Sequence, residues 1–339
     1  MDMPSPASRI RGCLLGAAVA EAAAIAGTAD ASPTSPTSLT STGQLRPLGP
    51  EGQLTLFTAD ALTEAIEWAN DGVHADEAAC VWLASLRWLS AQGVPVSPQA
   101  PIAQPRWLDS QDGVSVPAAV RPAWVASLAG GEMGSPSRPM GVEFDDAGAA
   151  AHAAPYGLVP HIPAAAVVKM SADGASLTHG ATVAVQAAAA VAAMTHFLSL
   201  GADCRTAAGS ARAQIASLRA PDERVLGAFA QDDDPWHPGS SPQQSSPARD
   251  DDAAAALAGA LSAVLAAESA RDSGDALEVA FAAGVGLAAA YGPDAAAISG
   301  ALLGTRWGQD SVPAAWLTQT AGTTAALGVA DRLAEVTGA

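Results

Sequence analysis

Apolar residues recur at helical spacing along nearly the whole chain. In the first segment, Ile10, Leu14, Ala18 and Ala22 share one face of a helix that Ser5 or Ser8 caps and that runs to about residue 26. Similar patterns predict helices over 54–70, 75–91, 117–128, 147–153, 163–171, 182–200, 204–216, 253–269, 276–290, 294–304 and 316–336. Few runs of β-branched or aromatic residues favour strands. We therefore predict an all-α protein, more than half helical, with no sheet of three or more strands.

Two long polar segments interrupt this pattern. Residues 27–53 are rich in Thr, Ser, Pro and Gly, and residues 231–252 are acidic and rich in Pro and Ser. Such compositions are typical of solvated loops. No repeat of fixed period is evident and nothing divides the apolar pattern into separate cores, so we predict one domain over residues 1–339.

Composition narrows the possible partners. Hydrophobic residues make up 49% of the chain but aromatic residues only 4%, so the apolar content is mainly Ala, Val and Leu. Ala-rich segments favour helix strongly. The 16 basic and 34 acidic residues give a net charge of −18. A surface of that charge repels nucleic acid and anionic lipid, so we expect neither as a partner.

The cellular location is predicted from the cysteine pattern, the first residues and the apolar stretches of the sequence. Cys13, Cys80 and Cys204 form no CxxC pair, which argues against a disulfide framework or a zinc site. The first twelve residues have no basic region leading into an apolar core, so no signal peptide is expected. The apolar stretches 183–195 and 253–267 look too short and too weakly hydrophobic to cross a bilayer. We therefore predict a soluble, cytoplasmic protein.

Five segments, in chain order, resemble the ADP-ribosylglycohydrolase family. They are RIRGCLLGAAVAEA at 9–22, QLTLFTA at 53–59, PYGL at 155–158, LTHG at 177–180 and AISGALLGTRWGQDSVPAAWL at 297–317. Each match is short or Ala-rich, but five in the family's order are difficult to attribute to chance. In the first of them, Glu21 stands where the family usually has Asp. The resemblance implies a single-domain, orthogonal bundle of many helices.

The resemblance also implies a chemistry, which is hydrolysis of the glycosidic bond at the ribose of ADP-ribose with two Mg²⁺ ions. Mg²⁺ prefers carboxylate, hydroxyl and water oxygens, and the ions would orient the ribose and activate a water. The family's two acidic motifs correspond to positions just before Gln53 and at 291–295. Here those positions read Gly-Pro-Glu-Gly (49–52) and Tyr-Gly-Pro-Asp-Ala (291–295).

Most of the expected metal ligands are thus replaced. Glu51 and Asp294 are the acids that remain, while Tyr291 and Pro293 stand where the resemblance implies carboxylates. Proline has no ligating side chain, and a phenol is protonated near neutral pH. We expect no metal centre and no cofactor, with at most one weakly held Mg²⁺. Each remaining acid also has a structural reading, Asp294 as a helix cap and Glu51 as an exposed loop charge.

Other polar residues are candidates for the site. The resemblance places Asp145 and Asp146 near the ribose, although acids at a helix start are also stabilised by the helix dipole. It gives His179, in LTHG, mainly a role in loop geometry. We count His179 among the candidate ligand-binding residues, and the others are His152, Tyr156 and Tyr291.

Three functions remain open. We favour a family member without the two-Mg²⁺ hydrolase activity, a pseudo-enzyme that binds an ADP-ribose-like or nucleoside ligand. The second hypothesis is a divergent hydrolase or lyase that cleaves a glycosidic bond of an ADP-ribosyl or related substrate with Glu51, Asp145, Asp146 and Asp294. The third is a structural protein that binds an unidentified protein partner.

Overall fold

The fold is all-helical, as the sequence pattern predicts. A computed structural model describes residues 3–27, 45–230 and 252–339, of which 66% are helical. The α-helices of these ranges are α1 (Pro6–Ile25), α2 (Pro50–Asn70), α3 (Glu77–Ala91), α4 (Pro122–Leu128), α5 (Gly148–Ala151), α6 (Ala164–Ala175), α7 (Thr182–Ser199), α8 (Cys204–Ala216), α9 (Glu223–Ala228), α10 (Ala253–Asp272), α11 (Leu277–Ala289), α12 (Pro293–Trp307), α13 (Ala314–Gln319) and α14 (Thr323–Thr337). Outside helices, backbone pairing in the described ranges is limited to isolated bridges.

The prediction of one continuous helix over 316–336 is wrong. α13 ends at Gln319 and α14 begins at Thr323. Between them Gly322 has a φ of 75°, which interrupts the helix, and Thr320 pairs with Arg46 in a parallel bridge. An apolar period continues across this break, so periodicity alone does not reveal it.

Two helix starts and one additional helix also differ from the prediction. α2 begins at Pro50, so the end of the loop predicted over 27–53 is helical. α4 begins at Pro122 rather than at 117, and α9 is not predicted by the apolar pattern. The remainder of the first predicted loop at 28–44, and residues 231–251 of the second, lie outside the described residues.

α1 lies at the centre of the bundle. It packs against α2, α12 and α14, and all but one of its residues from Arg9 to Ala23 are buried. A helix enclosed on all sides needs no polar face, which explains the weak amphipathicity of this segment. α7 and α12 are enclosed in the same way.

Arg9 is a buried charged residue at one end of this core. Its Nη1 donates to the carbonyl oxygens of Leu198 at 2.8 Å, and of Thr305 and Arg306 at 3.2 Å. These carbonyls belong to the last turns of α7 and α12, where a helix has unpaired acceptors and a partial negative charge. One buried guanidinium therefore joins the carboxyl ends of two core helices to the start of α1.

By length and composition, two helices of the described ranges are long and apolar enough to cross a membrane. α7 and α10 have 18 and 20 residues, with mean hydropathies of 1.4 and 1.6, so the expectation that these stretches are too short is wrong. Within the structure, however, 78% and 56% of these windows are buried against other helices. Their apolar character is accounted for by packing in the core.

Four glycines allow α1 and α12 to approach closely. Gly12 and Gly16 of α1 face Gly304 and Gly300 of α12, so that a Cβ on any of them would overlap the carbonyl oxygen of its partner. Because backbone rather than a flexible side chain fills the space, a larger residue forces the helices apart.

We predict that Gly304→Ala lowers the free energy of unfolding by about 2–3 kcal/mol through this overlap. The control is Gly209→Ala in α8, where an added Cβ meets nothing within 4 Å. It should raise stability by about 0.5–1 kcal/mol through helix propensity. Urea unfolding of both variants measures the difference. Equal effects would show that the glycine contact does not limit the approach of the helices.

Candidate functional site

Three helices that begin at proline bring charged residues together. Glu51 and Asp294 each follow the first residue of their helix, α2 and α12, in a Gly-Pro-acid sequence, and Arg121 immediately precedes Pro122 of α4. Proline is well suited to a first helical position because its missing N–H has no helical partner there. The acids lie at the positive ends of two helix dipoles, which stabilises their ionised forms.

The Arg121 guanidinium bridges three carboxylates. Its Nε donates to Glu51 Oε1 at 2.6 Å and its Nη1 to Asp146 Oδ1 at 3.2 Å, while its Nη2 forms a short ion pair with Asp294. Each nitrogen serves a different carboxylate, an arrangement that suits the guanidinium because its donors are spread over three nitrogens in a plane. We call these four residues the Arg121 cluster.

The acids of the Arg121 cluster lie deeper than the arginine. The exposed fraction of the side chain is 2% for Glu51, 8% for Asp294 and 16% for Asp146, compared with 23% for Arg121. Arg121 is therefore the most exposed side chain of the cluster. Glu51 is not an exposed loop charge, and the residue at the N-cap of α12 is Gly292 rather than Asp294, so both of those structural readings are wrong.

The segment before Arg121 is held by the side-chain amides of the buried Gln53 and the partly buried Gln92. Gln53 Nε2 donates to the carbonyl oxygen of Val116 at 3.1 Å, and its Oε1 accepts from Trp88 and Gln92. Gln92 in turn accepts the N–H of Ala118 at 2.9 Å. α2 and α3 thus fix the backbone that delivers Arg121 to the cluster.

Trp124 supports the guanidinium from α4. The Arg121 Cζ lies 5.7 Å from the centroid of the Trp124 ring, within the range of a cation–π contact. Trp124 is itself locked by an edge-on contact with Trp88, with ring centroids 5.2 Å apart. The packing leaves Arg121 little rotamer freedom.

His179 holds Asp146 in place. His179 Nε2 lies 3.1 Å from Asp146 Oδ1, and its Nδ1 lies 2.8 Å from the hydroxyl of Thr178. These bonds are satisfied together when Nε2 carries the proton and the Thr178 hydroxyl donates to Nδ1. Asp146 Oδ1 also accepts the N–H of Gly148 at 3.0 Å. His179 therefore orients a carboxylate, in addition to stabilising its own loop.

Glu21 supports Glu51 from within α1. The completely buried Glu21 carboxyl accepts the backbone N–H groups of Glu51 at 3.1 Å and of Gly52 at 2.6 Å. It thereby caps α2, whose N-cap residue Gly49 has no side chain to do so. A Cβ at Gly49 would overlap the Glu21 carboxyl, so this distant cap requires glycine there.

Burial and hydrogen bonding shift the pKa values of Glu21 and Glu51 in opposite directions. Burial, the charge of Glu51 and their shared hydrogen bond raise the pKa of Glu21 well above its ordinary value, which favours its protonated form. Burial also acts on Glu51, but its hydrogen bond with Glu21 and the charge of Arg121 outweigh it and lower its pKa. One proton shared between the two carboxyls relieves their repulsion.

The pKa values of Asp294 and Asp146 are also shifted in opposite directions. Burial and the charge of Glu51 raise the pKa of Asp294 to about 7 despite its bond to Arg121. Burial is outweighed at Asp146 by His179, the Gly148 N–H and Arg121, so its pKa falls to about 2. Neighbouring carboxyls with divided pKa values are typical of acid–base sites, although ion-pair networks also produce them.

His152 is a neutral group beside the cluster. It is buried, and its Nδ1 lies 3.3 Å from the hydroxyl of Thr58 in α2. Burial, together with the nearby His179, lowers its pKa to about 4.

Three further candidates are engaged in other contacts. Asp145 accepts the N–H of Ala253 through its carbonyl oxygen. Tyr156 is buried with its hydroxyl against Gly174, and the Tyr291 ring covers Gly259 of α10. The glycines leave room for both rings, which gives each tyrosine a role in packing.

Sequence reasoning did not identify Arg121 as a site residue. Its ion pairs span 70 and 173 positions along the chain, so no local motif marks it. The available signals were the repeated Gly-Pro-acid sequence at 49–51 and 292–294 and the Arg-Pro pair before α4.

The residues present do not fit a pair of Mg²⁺ ions. The three carboxylates are directed at the Arg121 guanidinium, which fills the space between them. Tyr291 packs on α10 and Pro293 starts α12, so neither supplies the oxygen expected at its position. Over the described ranges, no group of three His, Cys, Asp or Glu side chains is arranged to hold a metal ion.

We predict that Glu21→Ala lowers the free energy of unfolding by about 2–4 kcal/mol, because two buried N–H groups lose their acceptor and a cavity is left. Denaturant titration measures this loss. The exposed Glu335→Ala in α14 is the control and should change stability by less than about 0.5 kcal/mol. A similarly small effect of Glu21→Ala would contradict the distant-cap assignment.

We predict that His152 makes stability depend on pH. Its pKa is 6.5 ordinarily and about 4 in the folded chain, so between these values the unfolded state binds more protons. This contribution to the free energy of unfolding is complete above pH 6.5 and is lost as the pH falls to about 4. His152→Gln should lack this part of the dependence in urea unfolding across that window. An unchanged slope would show that His152 is not held neutral.

The comparisons with known proteins agree with this architecture. A sequence model described as ADP-ribosylglycohydrolase matches residues 2–339. Among solved structures, the chain is similar to one titled "ADP-ribosylglycohydrolase-related protein complex", with a TM-score of 0.61 and 18% identity over 98% of this chain and 99% of that one. The search of curated proteins found no match. The structural likeness concerns the fold alone, but the sequence model covers nearly the whole chain, and the protein therefore belongs to the ADP-ribosylglycohydrolase family.

Proposed function

We propose that this chain is a family member without two-metal hydrolase activity, which keeps the helical scaffold and acts by binding. The observation that carries the proposal is the pairing of Glu51, Asp146 and Asp294 with a single guanidinium. A divalent ion entering this space would meet the positive charge of Arg121 at short range in a poorly hydrated environment. It would also have to displace three charge-assisted hydrogen bonds.

We predict that the purified protein shows no pair of tight Mg²⁺ sites and negligible release of ADP-ribose from modified arginine or serine. Without metal, water lacks its main activator and the ribose its template. Titration calorimetry with Mg²⁺, beside a release assay on ADP-ribosylated peptide, tests this. An active family hydrolase, assayed in parallel, shows that the substrate is competent. Two tight sites with turnover would refute the proposal.

The ligand that we propose is ADP-ribose or a related nucleoside. The Arg121 cluster contains three carboxyl groups and one guanidinium, so it suits the hydroxyl-rich ribose better than the phosphates. A rise in melting temperature with ADP-ribose or a nucleoside, compared with ribose-free phosphate, would support this assignment. No rise with any of them would favour the alternative of a structural protein. A cytoplasmic location, with no nucleic-acid or membrane partner, remains a proposal from charge and composition.

One observation favours a second function, metal-independent cleavage of a glycosidic bond. Asp294, with its pKa raised to about 7, and Asp146, with its pKa lowered to about 2, divide the roles of proton donor and charge stabiliser between neighbouring carboxyls. Turnover in excess chelator that is lost in Asp294→Asn would support this hypothesis. If no turnover occurs in excess chelator, the binding proposal stands.

A further inference from the structure

Arg121 differs from Arg106, another arginine that meets three acids, because the acids around Arg121 have fewer other cationic partners. Arg106 also meets several acids, but its principal partner Asp60 is bonded to Arg87 at 2.9 Å as well. In the Arg121 cluster the same guanidinium serves all three carboxylates, and for Glu51 and Asp294 it is the ion-pair partner that the structure shows. Removing Arg121 would leave these acids facing a common space.

We propose that the Arg121 guanidinium is the permanent cation of this centre, that it excludes divalent metal, and that its removal converts the cluster into a cation site. The inference deepens the proposed function and rests on it. One guanidinium contacts oxygens of Glu51, Asp146 and Asp294. While Arg121 is present, the described acids form no group arranged to hold a metal ion. His179 binds the Asp146 carboxylate, and Glu21 binds the backbone N–H of Glu51. Carboxylates placed together at helix starts need a counter-ion, and a hard cation with oxygen ligands can supply it.

Preorganisation is the reason to expect metal binding rather than simple collapse. Glu51 lies on the first turn of α2 and Asp294 on that of α12, and both helices are packed against the central α1. Asp146 is fixed by bonds to His179 and Gly148. The acids therefore cannot separate far when the guanidinium is lost, and their mutual repulsion favours capture of a cation.

The experiment titrates Tb³⁺ and Mn²⁺ into wild type, Arg121→Ala and Arg121→Gln. The neighbouring Trp124 ring provides a sensitiser for Tb³⁺ luminescence. We expect each variant to gain one site that binds at least about tenfold tighter than any site on wild type, with a rise in melting temperature that wild type does not show. Circular dichroism confirms folding. If a variant is unfolded in the absence of metal, its circular dichroism is measured again in the presence of Mn²⁺.

Three controls make the result specific. Arg121→Lys keeps a cation and should gain no site. Arg106→Ala leaves Asp60 paired with Arg87 and should gain none. Arg121→Ala combined with Asp294→Asn removes one oxygen ligand and should weaken the new site at least about tenfold.

The inference is overturned if folded Arg121→Ala and Arg121→Gln bind no more tightly than wild type, or if unfolded variants are not restored by Mn²⁺. Equal gains in Arg106→Ala would also overturn it, because the site would then not depend on Arg121. None of these failures alters the wild-type assays for Mg²⁺ and hydrolysis, so failure of the inference and failure of the proposed function are distinguishable.

Discussion

The charge balance around Arg121 is the constraint on which the rest of the site depends. Glu51, Asp146 and Asp294 are largely withdrawn from water, and each would be costly to ionise without a partner. One guanidinium provides that partner for all three, since its nitrogens are spread over a plane. The acids still exceed it in number, and burial together with the charge of Glu51 raises the pKa values of Glu21 and Asp294, which favours their neutral forms.

The scaffold brings these charges together through contacts in the core. The contact between the facing glycines of α1 and α12 sets the distance between these two helices, and α1 also carries Glu21. Glu21 binds the start of α2, which places Glu51 toward the cluster. On the other side, Gln53 and Trp124 fix the segment that presents Arg121. A backbone contact in the core is thus linked to the geometry of the site through a short series of hydrogen bonds.

Membership of a family does not by itself determine chemistry. This chain matches the family over nearly its whole length, yet its acids face a side-chain cation where the resemblance implies metal. Both arrangements satisfy the same electrostatic requirement, which is positive charge among carboxylates at helix starts. Under the proposed function, that equivalence lets the fold keep its acids in place without a pair of Mg²⁺ ions.

The sequence alone determined the helical class and the position of most helices, because these depend on local periodicity and residue type. That Tyr291 and Pro293 stand in place of acids is what the resemblance to the family implies. It did not reveal the break at Gly322 or the burial of Glu51, since apolar spacing carries no information on either. The role of Arg121 was decided only by tertiary structure. Its partners come from three distant segments, and only the packing of α2, α4 and α12 brings an arginine and three acids within hydrogen-bonding distance.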